Sequence, residues 1–297
     1  MLALRKLTRF SLLASILTVA AVPAWAQGKL DAHYTVTLAG IPIGKGTWLV
    51  DVSDTHYSAT VTGMTTGLLH AFIGGEGAGT ARGTLQGGAL LSSLYAASIK
   101  TSKKTDAVRL TISNGNVKEY KIEPPQDDPG ERVPVTEAHR HGVLDPMTAS
   151  LVRMPGNGEL MVPEACDRAL SIFDGRLRYD LQLAYKRMDK VKAEKGYSGP
   201  ALVCSLRFTP VAGYIPSRAA IKYIVKLRDI EVWLAPIAGT RVLVPFRAQG
   251  PSPIGPVVME ATQFISAASP AKATGKESGK GSGKESSKPS AVGAQAQ

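Results

Sequence analysis

The sequence predicts an all-β protein built on a single strongly curved antiparallel sheet, a partial barrel or spiral, with two short helices on its concave face. Three observations predict it. Apolar residues alternate at period two in segment after segment, as in Tyr34, Val36 and Leu38 or Trp48, Val50 and Val52, which is the pattern of strands with one buried face. Turn residues separate these segments, notably Asn114-Gly115 and Asp174-Gly175, both strong hairpin signals. Crossover helices, which a parallel sheet needs, are absent. The chain holds roughly eleven or twelve such strands in about 240 residues, enough for one domain with a sizeable core.

Residues 30–62 read as three strands. Residues 64–73 (Met-Thr-Thr-Gly-Leu-Leu-His-Ala-Phe-Ile) read as a short helix capped by Thr65 or Thr66 and ended by Gly74 and Gly75. Strands follow at 75–83, 90–100, 107–113 and 117–122, then a polar, proline-rich loop at 123–140. The second helix is expected at 144–153, with Asp145 placed to cap and Pro146 in the first turn. A hairpin at 170–185 turns on Asp174-Gly175, and the lysine-rich 185–197 is a solvated loop or strand extension. Strands at 202–208, 220–227, 231–235, 241–248 and 257–265 complete the sheet.

The N-terminus carries a compartment signal. Arg5, Lys6 and Arg9 precede an apolar run from Phe10 to Val22 and an A-x-A site at Ala24-Trp25-Ala26. This predicts a signal peptide over 1–26, cleaved after Ala26, and a periplasmic mature chain. No later run is long and apolar enough to span a membrane as a helix. Three divisions follow: the signal, a β domain over 27–268, and a tail over 269–297. Gly, Ser, Lys and Ala dominate the tail, which is expected to be disordered. Of the formal charge of +11, the basic signal and the lysine tail each carry a net three, so the domain is only mildly basic. That balance suits envelope components, anionic lipid among them, and the compartment argues against nucleic acid.

The chain has two cysteines, Cys166 and Cys204. In an oxidising compartment they are expected to form one disulfide. The region 141–204 that contains them is read as a structural keystone: a helix plugging the sheet and a staple tying down the hairpin.

Candidate functional residues are few. Gly75, Gly77, Gly79, Ala81 and Gly83 fall on every second position, so in a strand all five share one face. A face without side chains admits either the neighbouring helix or an apolar ligand such as an acyl chain. Arg176 and Arg178, flanked by Asp174 and Asp180, form either a cross-strand ion-pair ladder or an anion site. His139 and His141, with Glu137 and the nearby Asp127 and Asp128, are the best metal candidates, but two histidines on a loop fall short of a zinc set. Neither a metal nor any other cofactor is expected. No Gly-x-Ser-x-Gly elbow or paired base is present, so the expected protein is not an enzyme.

Several stretches together carry a family resemblance: Tyr34…Gly40-Ile-Pro-Ile-Gly44, Leu144-Asp-Pro-Met-Thr-Ala149, Phe173-Asp-Gly-Arg-Leu-Arg-Tyr-Asp-Leu181, Cys204…Pro210-Val-Ala-Gly213 and Val232-Trp-Leu…Val244-Pro-Phe-Arg247. In this order they resemble an exported bacterial family catalogued as domain of unknown function 3108, from about Leu30 to Ile265. The resemblance implies a periplasmic protein and brings no catalytic residues. At the level of fold alone, the expected architecture is similar to periplasmic lipoprotein carriers of the LolA and LolB type and to envelope-integrity spiral proteins. The expectation for function is a non-enzymatic envelope protein binding lipid or another apolar ligand, with a scaffold for envelope proteins or peptidoglycan as the alternative and a metal-assisted hydrolase as the third reading. The oligomeric state is not legible.

Overall fold

The computed structural model describes residues 27–67, 74–126 and 130–269. The signal-peptide segment 1–26, most of the first expected helix (68–73), Asp127 and Asp128, and the tail from 270 onward lie outside them.

The N-terminal half is an antiparallel meander of seven strands: β1 (Gly28–Leu38), β2 (Ile41–Val52), β3 (His56–Thr65), β4 (Gly75–Gln86), β5 (Ala89–Thr101), β6 (Thr105–Ser113) and β7 (Asn116–Glu123). The C-terminal half contains β8 (Val152–Arg153), β9 (Arg168–Phe173), β10 (Arg178–Lys192), β11 (Lys195–Gly196), β12 (Ser198–Ala212), β13 (Ile230–Pro236), β14 (Val242–Gly250) and β15 (Val257–Ala268). One continuous sheet runs β7-β6-β5-β4-β3-β2-β1-β15-β14-β13-β12-β10-β9, with β8 and β11 attached at its side. The two ends of the domain therefore meet mid-sheet, where β1 pairs with β15.

The sheet curves without closing. Register shifts break the ladders at His33/Tyr34, Val36/Thr37, Arg82/Gly83 and Trp233/Leu234, and each such bulge adds twist and bend. The edge strands β7 and β9 do not pair. Residues 143–144 span part of the gap: Val143 N–H donates to the Gly115 carbonyl (2.8 Å), and Leu144 exchanges two bonds of 2.9 Å with Ser171 and Phe173 of β9. Gly115 is in position because Asn114 and Gly115 both take positive φ (50° and 73°), the tight hairpin turn that Asn-Gly favours.

The main core lies on the inner face. Val52, Leu110, Phe173, Phe246 and Phe264 are fully buried there, and the Phe246 and Phe264 rings sit 5.5 Å apart. A second cluster lies on the outer face of the C-terminal half. There Met154, Ala165 and Cys166 cover Leu202, Val232, Leu234 and Leu243. Cys166 and Cys204 form a disulfide in it, with both residues fully buried and their Cα atoms 5.5 Å apart. The bridge ties this cover to β12.

The described residues contain two short α-helices, and neither is quite the one expected. Helix α1 (Pro146–Ala149) keeps the expected Asp145 cap and Pro146 start but is a single turn. It stops because Val152 and Arg153 pair as β8 with β14, a tertiary contact that overrides local helical period. Helix α2 (Ala219–Ile224) replaces a strand expected at 220–227. Ile221, Ile224 and Val225 fit the helical spacing i, i+3, i+4 as well as the alternation of Ile221, Tyr223 and Val225 fits a strand, and short apolar runs are ambiguous in this way. The lysine-rich stretch after Tyr185 is strand as far as Lys192. Met64 and Thr65, read as the start of a helix, end β3.

Candidate functional site

Cross-strand register brings together glycines that are far apart in sequence. Tyr34 pairs with Gly46, Gly46 with Gly63, Gly63 with Gly77, Gly77 with Ile99, and Ile99 with Asp106. The row crosses β1 to β6 on the inner face and has no side chain at its three central positions. Parallel rows flank it: Trp48, Val61, Gly79 and Ala97 on one side, Gly44, Thr65, Gly75 and Thr101 on the other. The result is a trough of about 700 Å³ whose exposed lining is mainly apolar, within the range of small-molecule sites. Strand spacing of about 4.8 Å gives the row a length of roughly 24 Å. Val61 and Ile99 face inward yet remain 36% and 58% exposed.

At the β1 end, the Tyr34 hydroxyl donates to the Pro245 carbonyl (2.7 Å), and Val36 and Met259 complete the wall. Helix α1 forms the side wall, and Met147 packs over Gly79: a Cβ there would stand 3.4 Å from the Met147 sulfur.

A buried polar cluster fixes α1. Asp145 Oδ1 accepts from the N–H groups of Met147 and Thr148, both at 2.9 Å. Its Oδ2 accepts from Ser92 Oγ (2.6 Å) and Thr148 Oγ1. Since the Thr148 hydroxyl proton is committed to Asp145, Tyr57 must donate to Thr148 Oγ1 (2.6 Å). Asp145, Thr148, Ser92 and Tyr57 are all buried. Burial raises the Asp145 carboxyl above the usual range and outweighs the hydrogen bonds that oppose the shift. The cluster thus locks the plug helix to β3 and β5.

The β6 end of the row is polar. Asp106 lies between Lys104 Nζ (2.7 Å) and Arg176 Nη2 (3.6 Å). Here a second cavity of about 720 Å³ adjoins the trough, and Tyr95, Ala97, Ser98 and Ile99 line both. Its remaining wall comes from β6, residues 124–126, Arg132, the 174–177 turn, residues 213–215, and Arg218 with α2. Arg132 donates to the Gly213 carbonyl (2.6 Å) and Arg176 to the carbonyls of Glu123 and Pro124 (3.2 and 3.1 Å). Asp174 accepts the N–H groups of Arg176 and Leu177, and burial raises its carboxyl.

The residues singled out by sequence divide between different places. Gly75, Gly77 and Gly79 line the trough. Ala81 continues the same face beyond the trough and is fully buried. Gly83 serves packing: a Cβ there would lie 2.0 Å from the Leu91 carbonyl oxygen and 2.5 Å from the Tyr57 ring. Gly83→Ala is accordingly expected to destabilise the protein by about 3 kcal/mol through overpacking, whereas Gly77→Ala, whose Cβ would meet nothing closer than 3.5 Å, is expected to change stability by less than about 1 kcal/mol. Paired urea melts compare them, and equal midpoints would contradict the assignment.

Arg176 and Arg178 do not form one ladder or one anion site, because residues 174–177 make the turn and only Arg178 belongs to β10. Arg176 faces the polar cavity, while Arg178 binds Asp180 (2.6 Å) and Ser171 (2.7 Å). His139 and His141 do not lie on an extended segment, because Glu137–Arg140 forms a 3₁₀ turn. The Thr136 N–H donates to His139 Nδ1 (3.1 Å), while His141 Nδ1 lies 2.8 Å from Asn116 Oδ1. Among the described residues no three His, Cys, Asp or Glu side chains are grouped to hold a metal, and no helix is long and apolar enough to cross a membrane.

Gly46 and Gly63 were missed as trough residues. Gly44 and Gly46 show the same alternate spacing as Gly75–Gly79, and that shared period was the available signal.

A family model described as "Protein of unknown function (DUF3108)" matches residues 33–262. No curated protein matches the sequence. Among solved structures, a β-barrel-like protein of domain of unknown function DUF1849 from Brucella abortus is similar at 9% identity and a TM-score of 0.46, over 81% of this chain and 97% of that one.

Proposed function

The chain belongs to the DUF3108 family, whose function is unknown, and from its trough we propose that it is an exported, non-enzymatic binding protein of the bacterial cell envelope that holds an apolar chain on the glycine floor. The observation that carries this reading is the row Gly46–Gly63–Gly77, with inward-facing Val61 and Ile99 left open beside it. A sheet interior normally fills such positions with side chains, and an apolar surface of this size gains by covering it. Each methylene laid there contributes about 0.8 kcal/mol.

Export is supported by the basic-apolar-A-x-A pattern at the N-terminus and agrees with a buried disulfide. Binding rather than catalysis is supported by the use of the buried carboxylates: Asp145 and Asp174 both hold local backbone N–H groups.

The test is a titration of the purified protein with dodecanol, followed by fluorescence of Trp48 in the trough wall, beside Gly77→Val. The Cβ of a residue at 77 would meet only ordinary contacts at 3.5 and 3.8 Å, so the backbone there admits a side chain, and the valine methyls are expected to block the floor while the fold persists. Loss of about two methylene contacts weakens binding about tenfold. Saturable binding by the wild type that Gly77→Val weakens supports the reading; no binding, or equal binding by both, refutes it.

A further inference from the structure

The glycine row is not symmetrical end to end, and its polarity says what kind of molecule it takes. At the β1 end the lining is Tyr34, Val36, Pro245 and Met259. At the β6 end the same row arrives at Asp106, whose charge is already matched by Lys104 and Arg176. The cavity beyond it adds Arg132 and Arg218; leaving aside Arg132, which is engaged elsewhere, the described lining carries three cationic side chains, Lys104, Arg176 and Arg218, and two carboxyls, Asp106 and the buried Asp174. The Arg218 guanidinium is exposed and makes no hydrogen bond or ion pair among the described residues.

We propose that this end binds the anionic head of an amphipath, a carboxylate or phosphate, whose chain lies along the glycine row toward Tyr34. The proposal rests on the apolar-chain reading above and adds the class of head and the direction of the chain. Two features support it. Tyr95, Ala97 and Ile99 line both cavities, so a chain lying along the row ends beside the basic one. Among the described lining residues the cationic side chains outnumber the carboxyls, and guanidinium groups suit planar or tetrahedral oxyanions. Lys104 and Arg218, from the β5–β6 turn and the start of α2, are the cations best placed to serve the head, because Arg132 and Arg176 also hold backbone carbonyls.

The experiment compares dodecanoate, dodecyl phosphate, dodecanol, dodecylamine and inorganic phosphate on the full mature chain, the double variant Lys104→Ala/Arg218→Ala, and Gly77→Val. The expected result is that the two anionic amphipaths bind about tenfold tighter than dodecanol, as one or two charge-assisted hydrogen bonds imply. The double variant is expected to remove that advantage and leave dodecanol affinity unchanged, while Gly77→Val weakens all chain-bearing ligands. Equal affinity of all four amphipaths, untouched by the double variant, would overturn the head assignment and leave the apolar-chain reading standing. Tighter binding of dodecylamine would overturn it in favour of Asp106 as the recognising group. Inorganic phosphate matching dodecyl phosphate would show a site for the free anion and overturn the amphipath. Failure of every chain-bearing ligand would remove the underlying reading as well.

Discussion

Asp145→Ala is expected to destabilise the protein by about 3–5 kcal/mol. The substitution leaves four buried donors without their acceptor: the N–H groups of Met147 and Thr148 and the hydroxyls of Ser92 and Thr148. Each unsatisfied buried group costs about 1–3 kcal/mol, and the hydroxyls recover part of this by rotating. In a domain of this size the loss corresponds to a fall of roughly 10 °C in the melting temperature. Asp145→Asn keeps one carbonyl acceptor for the two N–H groups and should cost less. The carboxyl also gives a pH signature. Its folded pKa lies above the unfolded value because burial disfavours the charge. The stability it contributes is therefore fully present below the unfolded value near about 3.9 and is lost as pH rises through the folded one. Stability profiles of wild type and Asp145→Asn should diverge in that window, the wild type gaining relatively on acidification. A melting temperature for Asp145→Ala within about 2 °C of wild type would remove Asp145 from its place as the lock on α1.

Cys166→Ser is expected to cost about 4 kcal/mol. The disulfide closes 38 residues, for which loop-closure entropy in the unfolded chain gives about 3.9 kcal/mol. Both serine Oγ and the freed Cys204 would sit in the fully buried outer cluster, where an unpartnered hydroxyl adds to the loss. The cover formed by 154–166 should loosen first, since it packs on β12–β14 through few side chains. Faster amide exchange confined to that cover would report it, with the inner core and the trough unaffected. Chain binding in the trough should survive under conditions where the variant remains folded. Melting of Cys166→Ser indistinguishable from wild type would sink the staple.

Much of the fold was legible because the sheet is made of local units. Asn114-Gly115 and Asp174-Gly175 marked two hairpins, and alternation located most strands of both halves. Asp145 and Pro146 marked the start of α1 correctly. Its length was not legible, because it is ended by the pairing of β8 with β14, a partner ninety residues further along the chain. Residues 220–227 satisfied both the helical and the strand period, so the sequence pattern could not choose between them. The candidate site was half legible. The run Gly75–Gly79 announced a bare face, but the floor needs Gly46 and Gly63 in the same row, and only register places them there.

The sequence by itself determined a mostly antiparallel β domain, one disulfide and a bare strand face, since each depends on residue type and local spacing. Tertiary structure decided the rest. Strand register has a period of two, so only the final ladder sets which glycines align, and only the bending of the sheet brings the Arg176 turn and α2 to the end of that row. Whether a glycine face becomes packing or an open trough is likewise decided by what stands over it: Tyr57 and Leu91 at Gly83, Met147 at Gly79, and at Gly77 only contacts of 3.5 Å and beyond.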